Sequence, residues 1–237
     1  MNAVLKTGQV AVSKERHGGR FWRRFASYDF ARHLHSVPVV LAELDPAASA
    51  FPLVFRPGAT GPVEPHALLH LTPGAATPFA APDGSWRGTY VPSALRAHPF
   101  AATPAQAGAE MALLVDESSG LVTDDPKDEP FFDDSGAPSG PLGQVIAFFR
   151  TRAQSELATQ AACAALQEAG LLAPLAPLPG MSAQDAEGLL GIDTAALDAL
   201  DPAALPALWQ TGALRLALAH RLSLCHAGWM ARALRAG

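Results

Sequence analysis

The side chains with the most evident chemical potential in this sequence are its eight histidines. His66 and His70 form the segment H-A-L-L-H, and on a β-strand side chains four residues apart point to the same face. Such a pair could share a metal ion, but the glutamate that follows the first histidine in zinc proteases is missing. We therefore predict no metal site and retain only His66 and His70 as candidates. Five other histidines could supply further ligands, but nothing in the sequence indicates that they converge on one site; these are His33, His35, His98, His220 and His226.

A second group of functional candidates surrounds the segment YVPSALRAHPF, residues 90–100. Pro92 lacks a backbone N–H and has a fixed φ, so a strand can end before it and a short helix can begin there. Arg96 would then present a planar guanidinium that could bind Asp116, Glu117 or a ligand carboxylate through two hydrogen bonds. A structural ion pair is the alternative. The predicted ligand-binding set is Trp86, Tyr90, Arg96, Phe100 and Asp116.

No established catalytic motif accompanies these residues. The sequence contains no glycine-rich phosphate loop, no G-x-S-x-G elbow and no cysteine–histidine nucleophile pattern. Cys163 and Cys225 lie in alanine- and leucine-rich helical patterns, which favours two buried thiols over a disulfide. We predict no catalytic residue and no cofactor, and an enzymatic role stays open only as an alternative.

Charge is distributed unevenly along the chain, although the net charge is only −5. Residues 1–35 carry seven basic residues, Lys6 among them, against two acidic ones, whereas residues 116–134 carry eight acidic residues against one lysine. The basic segment could contact nucleic acid, an acidic membrane surface or the acidic loop of the same chain, and we favour an intramolecular or solvated position. The acidic loop lacks the spacing and central glycine of an EF-hand. We therefore predict a solvated loop and no nucleic-acid partner.

The periodicity of apolar residues predicts an α+β protein. Between residues 36 and 135, short apolar runs separated by Pro/Gly turn signals predict mostly antiparallel strands. From 140 to 237 the spacing of apolar residues becomes helical. We predict that both parts form one domain over 36–237, sharing one core, with a basic arm at 1–35 before it.

Local signals refine two of these elements. Asp83-Gly84 is a dipeptide typical of hairpin turns. After Pro141, apolar residues from Leu142 to Ala161 fall on one helical face, and Gly170 is the expected stop signal. The sequence therefore predicts a tight turn in the strand-rich part and one long helix in the helix-rich part.

The last helical run carries an apolar strip with spacings of three and four residues. Such a strip belongs either to a core or to a surface that pairs with another helix, so a homo-oligomer through this helix is one alternative. His220 lies in the same run, where a hydrogen-bonded core position is favoured over catalysis. The residues of the strip are Leu214, Leu218, Leu222, Cys225 and Trp229.

The sequence contains no evident targeting or membrane-spanning segment. Residues 1–19 show no uninterrupted apolar run before a small-residue cleavage site. The most apolar stretch, 212–229, contains Arg215, His220, Arg221 and His226, and polar groups at these positions oppose insertion into a bilayer. We therefore expect a soluble, cytoplasmic protein.

The order of several motifs resembles that of the SapC family. The segment from Trp86 to Phe100, WRGTYVPSALRAHPF, resembles the W-x-x-x-Y-V-P-x-x-L-R-x-x-P-F core of SapC-like proteins. Upstream, HSVPV, Glu43 and FPLVF are similar to the opening strands of the family. Downstream, the likeness continues through LVDE, FFD, GLL and AHRLS, so it extends over roughly residues 33–224.

This resemblance implies a biological role for the protein but does not indicate a chemical reaction. The family takes its name from a protein associated with a paracrystalline bacterial surface layer, and its members are encoded beside outer-membrane receptors and flavin-dependent halogenases. It provides no catalytic residue. The resemblance therefore implies a non-catalytic bacterial binding or accessory protein for a peptide or surface-layer component, with association at the cell surface. The alternative is a metal-dependent enzyme or the partner of a modifying enzyme such as a flavin-dependent halogenase.

Overall fold

A computed structural model describes residues 8–58, 61–103 and 110–236 of the chain. Lys6 of the predicted basic arm lies outside this range. Within it the predicted α+β class is confirmed, because antiparallel sheets occupy mostly the N-terminal part and helices the C-terminal part.

The elements are short apart from one long helix. The described strands are β1 (Gln9–Ala11), β2 (Phe21–Trp22), β3 (Ser36–Pro38), β4 (Leu53–Gly58), β5 (Gly61–Leu68), β6 (Phe100–Ala102), β7 (Leu113–Asp116), β8 (Val122–Thr123), β9 (Glu129–Pro130), β10 (Leu172–Pro174) and β11 (Leu190–Ile192). The described α-helices are α1 (Lys14–His17), α2 (Leu44–Ala48), α3 (Ser93–Arg96), α4 (Gly140–Glu168), α5 (Thr194–Asp198), α6 (Leu205–Gln210), α7 (Ala213–Ser223) and α8 (His226–Ala236).

The described residues form two compact units, each with its own hydrophobic core. The first unit combines the described residues up to Ala26 with those between Ala97 and Leu157. The second combines Ser27–Arg96 with the described residues from Ala158 onward. Helix α4 therefore contributes residues to both units. The boundaries of one domain at 36–237 and an arm at 1–35 stay a prediction.

Small antiparallel sheets and an aromatic core form the first unit. Its described strands pair in the orders β1-β7-β6 and β8-β2-β9. Trp22 of β2 and Phe100 of β6 are buried and pack edge to face, with ring centroids 4.8 Å apart. Phe131 and Leu142 belong to the same core. Large rings thus supply most of the interior of a unit with very short strands.

Ion pairs join the basic and acidic segments within the first unit. Arg16 donates two hydrogen bonds to Glu117, from Nε to Oε1 at 2.8 Å and from Nη2 to Oε2 at 2.6 Å. The intramolecular position favoured for the basic segment is confirmed by this pair and by two others. These are Arg20–Asp124, with Nε 2.6 Å from Oδ1, and Arg24–Glu129, with Nε 3.6 Å from Oε1.

The main sheet of the second unit has the described order β10-β11-β4-β5-β3, with every pair antiparallel. Leu53, Val54 and Phe55 are consecutive residues of β4, and all are buried. A strand with consecutive buried residues is covered on both faces. Helix α7 packs against β4. The central strand of this sheet thus lies in the core of the unit.

The long helix α4 begins and ends where the sequence predicted. The Ser139 hydroxyl accepts a hydrogen bond from the Leu142 N–H at 3.2 Å, which satisfies one free donor at the helix start. The helix ends at Glu168, and Gly170 has a φ of 66°, a conformation that favours glycine. No helix in the described ranges, α4 included, is both long and apolar enough to cross a bilayer.

The apolar face predicted for α4 is only partly correct. Leu142 and Phe149 are buried, but Leu157 and Ala161 are exposed. In its C-terminal part the helix buries other positions because it packs into the core of the second unit. These positions are Ala162, Cys163 and Leu166.

Most of the C-terminal apolar strip lies outside the core, although Leu214 packs against it and the Trp229 ring centroid is 5.6 Å from that of buried Phe79. Helix α7 instead buries Leu216, Ala217 and His220, which are the residues that face β4 and its neighbours. Leu218 and Leu222 are exposed on the opposite side. The core alternative is therefore wrong for Leu218, Leu222 and Cys225, whereas the helix-pairing alternative stays a prediction.

The two cysteines differ in their environments. Both thiols are free, so the expectation of no disulfide is confirmed. Cys163 is buried, and burial raises the pKa of its thiol to about 12. Cys225 is exposed, so the prediction of a buried thiol at this position is wrong. It follows Leu222 on the surface that α7 does not use for packing.

A tight turn at Asp83-Gly84 confirms the predicted hairpin signal. Ala80 and Trp86 form an antiparallel bridge across it, and Asp83 Oδ1 accepts from the Ser85 N–H at 2.9 Å. Gly84 has a φ of 82°, and a Cβ atom at this position would collide with the Ser27 hydroxyl. Glycine is therefore required both by the backbone and by the neighbouring side chain. The turn positions Trp86.

Candidate functional site

A helical turn after Pro92 brings three of the predicted ligand-binding residues together. The Leu95 N–H donates to the Pro92 carbonyl at 2.9 Å, and α3 begins directly after the proline, as predicted. The Trp86 Nε1–H donates to the Tyr90 carbonyl at 2.7 Å, which fixes the chain before the turn. We call the following residues the proline-turn cluster: Glu43, Trp86, Tyr90, Ser93 and Arg96.

Glu43 lies at the centre of the proline-turn cluster, although the predicted site did not include it. It ends a 3-10 turn, Leu41–Glu43, in which the Leu41 N–H donates to the Thr159 hydroxyl at 2.9 Å. Only 4% of Glu43 is exposed. An ionised carboxylate is costly to bury unless donors surround it. The sequence signal for this role was a single acidic residue inside the apolar run VPVVLAEL.

Four hydrogen bonds saturate the Glu43 carboxylate. Oε1 accepts from the Ser93 hydroxyl at 2.6 Å and from the Val40 N–H at 3.2 Å. Oε2 accepts from the Ser93 N–H at 2.7 Å and from the Tyr90 hydroxyl at 2.8 Å. A carboxylate has about four acceptor positions, and all are occupied here. Glu43 is therefore a fixed structural acceptor that connects its own turn to α3.

Arg96 lies at the exposed edge of this buried network. Its Nη2 donates to the Tyr90 hydroxyl at 3.2 Å and lies 4.0 Å from Glu43 Oε2. The guanidinium carbon stands 5.7 Å from the centroid of the Tyr90 ring, a cation–π distance. The Arg96 side chain is 46% exposed. Its head group is thus held on one side by the protein and faces solvent on the other.

The same contacts fix the protonation state of Tyr90. Burial, and then the hydrogen bond to the negatively charged Glu43, raise the pKa of the phenol above its usual value. Arg96 opposes this shift only weakly. The phenol therefore stays protonated at physiological pH and acts as a donor to the carboxylate, not as a general base.

The remaining predicted ligand-binding residues, Phe100 and Asp116, belong to the first unit. Phe100 is only 6% exposed and packs in the aromatic core. Asp116 Oδ1 accepts from the Ser118 N–H at 2.9 Å and from the Ser118 hydroxyl at 2.6 Å. Of the acidic partners predicted for Arg96, Glu117 pairs with Arg16, whereas the carboxylate that Arg96 approaches is Glu43. Ligand binding by Phe100 and Asp116 stays a prediction.

His66 and His70 do not share one strand. β5 ends at Leu68, so His66 lies on the strand and His70 lies beyond it. The His66 Nδ1 is 3.1 Å from the Ser36 hydroxyl, whereas the His70 Nδ1 accepts from the Thr72 N–H at 2.8 Å. Among the described residues, histidine, cysteine, aspartate and glutamate form no group of three or more that could hold a metal ion.

Comparison with known proteins gives a family and no individual relative. Neither the curated proteins nor the solved structures contain a match to the chain. The match to the model of the SapC family covers residues 12–228 and includes the whole proline-turn cluster. Since this range is far more than half of the 237 residues, the chain belongs to the SapC family.

Proposed function

We propose that this chain is a non-catalytic binding or accessory protein that binds a carboxylate group of a peptide or surface-layer component at Arg96. The observation that carries the proposal is a half-exposed arginine side chain whose guanidinium contacts Tyr90 and approaches a buried carboxylate. Its contacts inside the unit orient the charge, while its exposed side can accept a partner. The implied association of the family with surface layers suggests where such a partner occurs.

The saturated carboxylate supports a binding role over proton-transfer chemistry. A general base needs a lone pair that faces a substrate, but the Glu43 oxygens already accept from Ser93, Tyr90 and Val40. Ser93 is buried and its hydroxyl donates to Glu43, so this hydroxyl holds the carboxylate in place and is not presented to a substrate. The network therefore stabilises one geometry, as a recognition surface requires.

Arginine chemistry defines the expected partner. A guanidinium is planar and permanently charged, and it can donate two parallel hydrogen bonds to one carboxylate. Ordering a flexible arginine on binding normally costs side-chain entropy, but the Tyr90 ring and hydroxyl already restrain Arg96. Trp86, a partly exposed member of the same cluster, adds aromatic surface to the proposed site. A peptide with a free carboxylate next to an apolar side chain fits this combination.

Binding to an array of short peptides tests the proposal. The array holds each peptide with a free carboxyl terminus and in amidated form, and affinities of the best binders are measured by calorimetry. We expect Arg96→Ala to weaken binding by about 10- to 100-fold, since a charge-assisted hydrogen bond contributes about 1.5–3 kcal/mol. Arg87→Ala, which removes an exposed arginine of the same segment, is the matched control and should bind like the wild type. Equal binding of amidated peptides, or of Arg96→Ala, would reject carboxylate recognition.

Metal content separates this proposal from the alternative of a metal-dependent enzyme. The measurement is elemental analysis of tag-free protein purified without chelator. We expect no metal in stoichiometric amount, because the described carboxylates and imidazoles form no adequate ligand group. One metal ion per chain that His66→Ala removes would favour the enzyme instead. An accessory role beside a modifying enzyme such as a flavin-dependent halogenase is compatible with the binding proposal and predicts no turnover by this chain alone.

A further inference from the structure

Exposed apolar side chains are concentrated on the C-terminal helices of the second unit. Among the described residues, every large exposed hydrophobic side chain except Leu157 lies between Leu205 and Trp229. Leu222 is 75% exposed and Trp209 is 66% exposed. Concentrated exposure of this kind marks interaction surfaces, whereas single exposed leucines are ordinary. We call Leu218 and Leu222 the α7 ridge.

Helix geometry places the α7 ridge opposite the core-facing side of the helix. Successive residues are rotated by about 100°, so Leu218 and Leu222 share one face. Leu216, Ala217 and His220 fall on the other side and are buried. The ridge therefore points away from the core of its own unit.

One arginine–aspartate ion pair lies on each side of the ridge. Arg215 lies on one flank and pairs with Asp45, with Nη2 to Oδ2 at 2.8 Å. Arg221 lies on the other flank, 4.0 Å from Asp198 Oδ1. Each flank thus carries one cation and one anion around an apolar centre. An apolar centre with a polar rim is the usual anatomy of a protein interface.

We propose that the α7 ridge is the contact surface of a homodimer, in which the ridges of two copies pack against each other. A two-fold axis brings the same patch of both copies together, so the patch must be complementary to itself. Flanks with one charge of each sign meet this condition, because each Arg of one copy can approach an Asp of the other. This inference goes beyond peptide binding and does not depend on the proline-turn cluster.

Charge and area favour a second copy over other occupants. The two flanks together carry two cations and two anions and so have no net charge, which gives no attraction to an anionic bilayer but is complementary to the same rim of a second copy. Taking about 200 Å² for each large side chain, the exposed fractions of Leu218 and Leu222 correspond to roughly 240 Å², and those of Leu205 and Trp209 on α6, which contacts α7, to roughly 210 Å². With the surrounding helix atoms and charged flanks added, the area buried per partner would approach the value of about 800 Å² that is typical of a specific dimer.

Sedimentation velocity over a range of concentrations tests the dimer. We expect the full chain to form dimers, and Leu222→Glu to weaken dimerisation by roughly 100-fold because it places a charge at the apolar centre. Leu157→Glu is the matched control, since Leu157 is exposed but lies outside the C-terminal helices. Trp209→Ala provides a second variant, expected to weaken the dimer less. Circular dichroism shows whether each variant keeps its helices.

Modification of Cys225 gives an independent readout. Cys225 is exposed one turn after Leu222, whereas Cys163 is buried and should not react. A bulky maleimide on Cys225 is expected to shift the protein to monomers, and Cys225→Ser should dimerise normally and resist this effect. A wild-type protein that stays monomeric at the highest soluble concentration would overturn the proposal. So would a dimer that Leu222→Glu leaves unchanged, or ridge-dependent flotation with phosphatidylglycerol vesicles by a monomeric protein.

Discussion

Replacing Glu43 with alanine should lower the free energy of unfolding by about 3–5 kcal/mol, the largest loss expected from any single change in the proline-turn cluster. The substitution removes a buried charge and leaves the Ser93 N–H, the Val40 N–H and the Tyr90 hydroxyl without their acceptor. An unsatisfied buried donor costs about 1–3 kcal/mol. Water that enters the cavity left by the missing side chain would replace the carboxylate as acceptor only in part. Arg96 would also lose its buried counter-charge.

Urea unfolding followed by tryptophan fluorescence measures this loss. Glu187→Gln is the matched control, because Glu187 is an exposed acid of the same unit and its replacement should change stability by less than about 0.5 kcal/mol. Tyr90→Phe removes one donor from the network and should cost about 1 kcal/mol. A Glu43→Ala protein as stable as the control would mean that the network does not hold α3 to the preceding turn.

The second large effect concerns His220 and acidic pH. Its Nδ1–H donates to the Leu53 carbonyl at 2.8 Å, and its Nε2 accepts from the Ile192 N–H at 3.1 Å. These bonds require the neutral ring. Burial, which is the main cause, lowers the pKa of His220 from 6.5 to about 4, with a smaller lowering by Arg221. The predicted hydrogen-bonded core position of His220 is confirmed.

Because the folded state lowers this pKa, the unfolded chain binds the proton more readily than the native chain. The stabilisation from neutral His220 is therefore complete above pH 6.5 and is lost as the pH falls through about 4. A shift of this size corresponds to about 3 kcal/mol at 1.36 kcal/mol per pKa unit. The partly buried His35 and the buried His70 of the same unit have lowered pKa values as well, mainly through burial, and add to acid sensitivity with the same sign.

The variant His220→Gln isolates the contribution of this one ring. Glutamine cannot reproduce both hydrogen bonds, so at pH 7.5 the variant should be less stable than the wild type by about 2–3 kcal/mol. This difference should disappear near pH 4, because the wild type has by then lost the stabilisation that the variant never had. The measurement is the free energy of unfolding of both proteins in urea across this pH range. A difference that does not depend on pH would contradict the assigned protonation.

Local sequence patterns predicted much of this protein. The strand-rich and helix-rich parts, the long helix with its stop at Gly170, the turn at Asp83-Gly84 and the start of a helix after Pro92 all follow from short-range rules. Glycine conformations and helix caps depend on a few neighbouring residues, which is why these predictions were confirmed. The SapC resemblance, carried by the order of several such segments over roughly residues 33–224, was confirmed by a family match over the longer range 12–228.

Contacts between distant residues were not predictable in this way. Glu43 and Ser93 are fifty positions apart, and their hydrogen bond depends on how the turn Leu41–Glu43 and α3 come together. The strip on α7 illustrates the same limit, because its spacing was equally compatible with a core and with a surface. In the folded protein α7 packs against β4, and the side of the helix that becomes buried is the one that carries Leu216, Ala217 and His220. Helical periodicity states which residues share a face but not which face is covered.

By itself, then, the sequence determined the local elements, the family and a restricted group of chemically capable residues around Pro92. Only the tertiary structure decided that Arg96 approaches Glu43, that the carboxylate is saturated, and that Leu218 and Leu222 face outward. The physical reason is that backbone conformation is governed by neighbours along the chain. Burial and the pairing of charges are governed by neighbours in space, and these exist only after the chain has folded.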